Sequence, residues 1–366
     1  MLWAWLPFPV DLHQAAPNDG RRAAVGLGCA GPLHAGIPLP FATRPLHDRP
    51  VGPPHRMNAL PQPDLQPDPL HPTMATPLPL EHPPLLECRQ LALDALCLRE
   101  PAAKVAAVHD LWARIATLAL HPDTPLTPEA DTVPGRPDRP PLRSAKAVPT
   151  RSVFTPQGMA AMVHAVCHIE FNAINLALDA VWRYAGMPAA YYLDWLRVAH
   201  EEATHFGLLQ AHLQAHGHAY GDFDAHDGLW AMCEKTAADV LARMALVPRT
   251  LEARGLDATP LIQAKLQRAH TPQALAVVGI LDIILRDEVG HVAIGNHWYR
   301  WLCAQRGLDP EAHYPTLVAQ YDAPHLKPPF NDAARLRAGF SAQELAALHR
   351  AATPAQRRPE APQSQP

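Results

Sequence analysis

Twice in this 366-residue chain a Glu precedes a His by three positions inside a long apolar-periodic segment, Glu202 with His205 and Glu288 with His291. On an α-helix, positions i and i+3 are neighbours on one face, so each pair aims a carboxylate oxygen and an imidazole nitrogen at a single point. Both motifs fall within the apolar stripe of their segment. Trp195, Val198, Glu202, His205 and Leu209 share one face, and Val277, Leu281, Ile284, Glu288, His291 and Gly295 share the other. A charge placed in such a stripe must be neutralised, paired or bound to a metal, because leaving it buried and alone is too costly.

Two further carboxylates sit the same way. Glu170 lines up with Met159, Val163, Val166, Ala173 and Ala177, and Glu252 with Ala238, Leu241, Ala245 and Pro248. The order along the chain is therefore Glu, Glu-x-x-His, Glu, Glu-x-x-His. That is the ligand set of four-helix bundles that hold two iron or manganese ions, and it predicts an all-α fold. Oxygen-rich ligands with two imidazoles suit iron or manganese, and four carboxylates balance two divalent ions. The expected metal ligands are Glu170, Glu202, His205, Glu252, Glu288 and His291. On the third segment Glu234 and Asp239 compete with Glu252, but their spacing to the second motif is too long to match the first half. Metal-bound histidines usually donate their other N–H to a carboxylate. Across the bundle, Asp287 is placed to serve His205 and Glu201 to serve His291. An exposed acid is an equal reading for Glu201.

The helical pattern covers Leu86 to Leu98 and Pro101 to Leu118 as a hairpin, then lapses over 121–154, an irregular connection that wraps the surface or covers a site. Thr155-Pro156 opens the first long helix, an N-cap followed by a proline at the first helical position, and it ends near Gly186. Pro188 starts the second, to about His216. The third runs from Asp224 or Asp227 to Gly255, with Pro248 expected to kink it one turn before Glu252. Thr259-Pro260 opens a short bridging helix, and Thr271-Pro272 the fourth long one, to Gly307. Short helices follow over Asp309 to Tyr314, Asn331 to Gly339 and Ser341 to Ala351, the last with a capping box from Ser341 and Glu344. Strand signals are too sparse to build a sheet.

Composition separates the ends from the middle. Many of the 42 prolines lie before Pro84, in a stretch with little apolar periodicity, so 1–84 is expected to be disordered, as are the last residues, 353–366. A start at Met57 or Met74 is an alternative reading of the N-terminal region. The first ten residues lack the basic segment of a signal peptide, and no run of about 18 uninterrupted apolar residues marks a membrane span. The six cysteines show no Cys-x-x-Cys spacing, which disfavours zinc ribbons and iron–sulfur clusters and suits a reducing cytoplasm. A net charge of −4 gives no global attraction to nucleic acid, and the basic segment Arg136 to Arg151 reads as a solvated connector. His164 and His168 lie off the Glu170 face and read as packing or solvent-facing residues. Trp195 and Trp298, each seven residues from a ligand, read as core, with an electron path to the metals as the rival reading.

Residues from about 87 to 345 resemble a bacterial ferritin-like family of unknown function. The resemblance is carried by His168-Ile-Glu-Phe-Asn-Ala-Ile174, Trp195-Leu-Arg-Val-Ala-His-Glu-Glu-Ala-Thr-His205, Glu252-Ala-Arg-Gly-Leu-Asp257 and Leu285-Arg-Asp-Glu-Val-Gly-His-Val-Ala-Ile-Gly295. It implies a ferritin-like bundle with a di-metal carboxylate centre on the six ligands already named. At superfamily level the chain is also similar to tRNA-modifying di-iron hydroxylases, ribonucleotide reductase small subunits and rubrerythrins, which do different chemistry on one scaffold. The expectation is a di-iron or di-manganese oxidoreductase, monomeric or homodimeric, that activates dioxygen or peroxide toward an unassigned substrate. Nucleic acid is the weakest substrate option. The alternatives are an iron-handling ferroxidase or storage protein and a metal-free helical interaction module.

Overall fold

A computed structural model describes residues 86–129 and 133–352. The expectations for 1–84 and 353–366 lie outside the described residues. Among these, all regular structure is helical, and the extended pairings are two isolated bridges, Glu87 with Ala119 and Leu142 with Ala225.

Helices α1 (Cys88–Cys97) and α2 (Pro101–Arg114) form the expected hairpin, α1 packing on α3 (Pro156–Arg183) and α2 on α4 (Ala189–Ala215). Thr155 caps α3 by accepting the Gly158 N–H, and Pro156 follows at the first turn. Pro188 is the N-cap of α4. Along α3 nearly every residue from Gly158 to Trp182 is buried, because α1, α4 and α5 (Gly228–Lys235) cover it from several sides. By length and composition α3 is apolar enough to cross a membrane, although polar residues interrupt its apolar run. Burial of 89% of its most apolar window explains that composition as core packing.

The third long segment differs most from expectation. After α5 the chain breaks at Thr236–Asp239 and restarts as α6 (Val240–Leu246), with Asp239 capping it through the Leu241 N–H. Instead of a simple kink at Pro248, the helix widens into a π-helical turn, Val247–Glu252. The missing proline N–H and the clash of its ring with the preceding turn oppose regular α-helix there, and an inserted residue relieves both. Thr250 Oγ1 takes up the Ala245 carbonyl at 2.7 Å. The chain then continues past Gly255 through α7 (Ala253–Gln267), which contains Pro260 in its first half, so the expected stop at Gly255 and fresh start at Thr259 do not occur.

Helix α8 (Pro272–Gln305), capped by Thr271, packs on α4, α6, the π turn and α7. Helices α9 (Pro310–Gln320), α10 (Asp332–Arg337) and α11 (Ala342–Ala352) close the outer side of α6–α8. The capping box forms as expected: Glu344 N–H donates to Ser341 Oγ at 3.0 Å and Ser341 N–H to Glu344 Oε2 at 2.7 Å.

The connection before α3 wraps the surface, held by two buried cations. Arg89 donates to the carbonyls of His121, Pro122 and Thr124 and to those of Val181 and Trp182 at the end of α3. Lys104 Nζ donates to the carbonyls of Leu96 and Gly135 and to Asn175 Oδ1. A Cβ on Gly135 would lie 2.0 Å from the Cys97 oxygen, so only glycine fits that approach. Arg136 and Arg143 of the basic segment pair with Asp227 and Asp224, in keeping with its reading as a connector. Cys88, Cys97, Cys167, Cys233 and Cys303 are free thiols.

Candidate metal centre

All six expected ligands are buried, and their helices bring them together. Glu170 comes from α3, Glu202 and His205 from α4, Glu252 from the π turn, and Glu288 and His291 from α8. Two ligand groups form within the cluster, Glu170–Glu202–His205 and Glu202–Glu288–His291, each with donor atoms within 4.8 Å of one another. Glu202 belongs to both. His205 Nδ1 lies 3.3 Å from Glu170 Oε2 and 3.4 Å from Glu202 Oε2, and His291 Nδ1 lies 2.9 Å from Glu202 Oε1 and 4.0 Å from Glu288 Oε2.

These close approaches lack hydrogen-bond direction. Seven of the eight carboxylate oxygens of the four glutamates, and both Nδ1 atoms, are buried with no hydrogen-bond partner. Buried polar groups are almost always satisfied, and leaving one unsatisfied costs about 1–3 kcal/mol, more for a charged group. Ligand atoms that converge on a shared point, and not on each other, are what a bound cation requires. Each of the two groups is a donor set that could hold a cation, and Glu252 belongs to neither group.

The opposite edges of both rings are satisfied across the helix pair. His205 Nε2 donates to Asp287 Oδ2 at 3.1 Å, and His291 Nε2 donates to Glu201 Oε2 at 2.7 Å. Asp287 thus meets His205 and the half-buried Glu201 meets His291, each across the helix pair. These bonds fix the tautomer that leaves Nδ1 toward the cluster. Each outer carboxylate meets an arginine in turn: Arg286 grips Asp287 at 2.8 and 3.0 Å, and Arg197 lies 3.7 Å from Glu201.

The charges respond to burial and to each other. Burial, reinforced by the negative charge of Glu202, pushes Glu170 and Glu252 up to about 8 and Glu288 well above the usual carboxylate range. Burial pushes Glu202 the same way, but the neighbouring His205 and His291 hold it well below that range. Burial lowers both histidines, yet the hydrogen-bonded carboxylates around them, led by Asp287 and Glu201 respectively, outweigh it and raise them well above normal.

The competing residues lie elsewhere. Glu234 accepts from Trp230 Nε1 at 2.9 Å on α5, and Asp239 caps α6 and pairs with Arg306. His164 accepts the Gly221 N–H through Nε2, and His168 contacts Tyr220 Oη at 2.8 Å, so both are packing residues. Trp195 is fully buried, and Trp298 is buried with its N–H on Asp194. Sequence reasoning missed the roles of Arg249, within the π turn, and of Gly295, on which that turn rests. A Cβ at Gly295 would stand 2.5 Å from Pro248 Cβ. Its place in the ligand stripe, one turn after His291, was the available signal.

The chain is 47% identical over 262 residues to an uncharacterized protein of Haemophilus influenzae, a match that covers 69% of this chain and 90% of that protein. No solved structure matches it. Residues 97–346 match the family described as protein of unknown function DUF455, and by that extent and the identity to its relative the chain belongs to this family.

Proposed function

We propose that this is a di-metal carboxylate oxidoreductase built on a ferritin-like four-helix bundle, its arms being α3, α4, α6 with its π-helical and α7 continuation, and α8. The observation that carries the reading is the buried cluster of four glutamates and two histidines whose inward atoms have no partner. Two iron or manganese ions held there would supply redox chemistry toward dioxygen or peroxide. Glu170 and His205 would help hold one ion and Glu252, Glu288 and His291 the other, with Glu202 common to both groups. Asp287 and Glu201 keep the imidazoles oriented, and the apolar residues of α3, α4 and α8 keep bulk water from the site. A metal-free interaction module would leave seven buried carboxylate oxygens and two imidazole nitrogens without hydrogen-bond partners, a cost that such a role does not explain.

Protein purified without chelator should contain about two ions per chain. Glu202→Ala, which removes the shared carboxylate, should lose both ions and the rise in melting temperature that metal confers on the parent. Trace metal in the parent, with Glu202→Ala indistinguishable from it, would remove the reading.

A further inference from the structure

Glu252 is the only one of the six clustered residues carried on irregular helix, so its carboxylate is placed by whatever holds the π turn. Two restraints are visible. From α8, Gly295 lets Pro248 approach closely. From the far end of the described chain comes Glu344. Arg249, in the same turn as Glu252, is buried, and its guanidinium lies over the rings of Tyr299, Tyr314 and Phe340 at 5.2, 5.1 and 4.7 Å. One of its NH2 groups donates to Asn296 Oδ1 on α8 and the other to Glu344 Oε1 on α11. Asn296 in turn donates to the Ala338 carbonyl after α10 at 2.8 Å. Glu344 Oε2 accepts from Arg300 at 2.9 Å and from the Ser341 N–H. A capping residue of a short surface helix needs neither burial nor two arginines. Glu344 has both, and its partner is three residues from a clustered carboxylate.

We propose that Glu344 is a positioning residue for Glu252, acting through Arg249, so that helices α10 and α11 clamp the π turn and set the affinity of the ion that Glu252 and Glu288 would share. The inference rests on the metal reading above for its consequence, but not for its mechanics. A buried arginine bound to a carboxylate and to one amide oxygen resists displacement, since pulling it away leaves a buried charge unpaired. With the clamp intact, the turn has one arrangement. Without the Glu344 charge, the turn keeps the ring contacts, Asn296, the Pro248 packing on Gly295 and the Thr250 hydrogen bonds but loses its one ionic anchor, and Glu252 gains room to move with it.

Glu344→Gln is the test variant because Gln also completes a capping box, so α11 keeps its N-terminus while the charge that binds Arg249 and Arg300 is lost. Leu345→Ala is the control, since it removes buried packing from the same helix without touching Arg249. In metal-free full-length protein, amide exchange over 247–252 should speed up at least tenfold in Glu344→Gln and stay near parent in Leu345→Ala. In metal titrations, Glu344→Gln should bind one ion as the parent does and the second about tenfold or more weakly, the loss typical of removing an outer partner of a ligand. Leu345→Ala should bind both ions as the parent does. Unchanged exchange over 247–252 in Glu344→Gln, or equal effects from Leu345→Ala, overturns the clamp. A parent that binds no metal overturns the metal consequence, and the exchange result still decides the mechanics.

Discussion

Gly295→Ala is expected to destabilise the protein although alanine is the better helix former. Its Cβ would stand 2.5 Å from Pro248 Cβ and 2.6 Å from Pro248 Cγ, against an ordinary contact distance of 3.4 Å or more. The two helices must therefore separate by nearly an ångström, or the proline ring must move, and that ring is fixed in the π turn. Overpacking of this kind costs about 1–3 kcal/mol, from which the helix gain of alanine, about 0.5–1 kcal/mol, is subtracted. The net loss of up to about 2.5 kcal/mol, about 1 kcal/mol at mid-range, corresponds to a melting temperature up to roughly 10 °C lower for a domain of this size. Gly279 lies on the same helix, exposed, with nothing within 4 Å of its added Cβ, so Gly279→Ala should gain stability and melt about 1–4 °C higher. Thermal unfolding of both variants in chelator, followed by circular dichroism at 222 nm, isolates packing from metal. A Gly295→Ala variant that melts with or above Gly279→Ala would refute the argument that this glycine exists to admit Pro248.

Asp287→Asn keeps a side chain of the same shape at His205 Nε2 but removes its charge, and metal titration should show affinity lowered about 10–100-fold with the fold unchanged by far-UV circular dichroism. Burial holds His164 down to about 4, so the folded protein prefers it neutral; its contribution to stability is complete above the unfolded value near 6.5 and is lost as pH falls toward 4. The loss is on the order of 3 kcal/mol, and denaturant titrations at pH 7 and pH 4.5 should find it smaller in His164→Gln than in the parent. Glu252→Gln should leave the far-UV spectrum unchanged, because Glu and Gln differ little in helix propensity, while one of the two ions is lost on metal analysis; full occupancy would place the third-helix ligand elsewhere.

The sequence was most readable where function and periodicity coincided. Glu170, Glu202, His205, Glu288 and His291 sit on regular helices, α3, α4 and α8, so counting by turns located the inward face and the structure buries every one of them. Thr155 and Thr271, each followed by a proline, marked helix starts for the same reason, since capping is local chemistry. Position placed Asp287 and Glu201 where two facing helices with the same motif put each acid beside the other helix's histidine, but left Glu201 equally open to being an exposed acid; both meet the facing histidine.

The third arm was readable only in part, and the reason is physical. A stripe drawn at regular α-helical spacing placed Glu252 inward, yet the π turn inserts extra winding between Pro248 and Glu252. What makes that turn hold is not local. It depends on a glycine on α8, on three aromatic rings, and on a carboxylate at Glu344, almost a hundred residues downstream. Only the glycine lies in a periodic stripe, and that stripe does not say what it admits; the rest have no periodic signature, because each is a pairing across the fold. The pair of Glu-x-x-His motifs makes the centre look two-fold, but the halves are positioned differently. Glu170 rides a helix buried on nearly every side, whereas Glu252 rides a turn restrained from outside, so perturbations of the surface helices should reach the Glu252 side of the centre first.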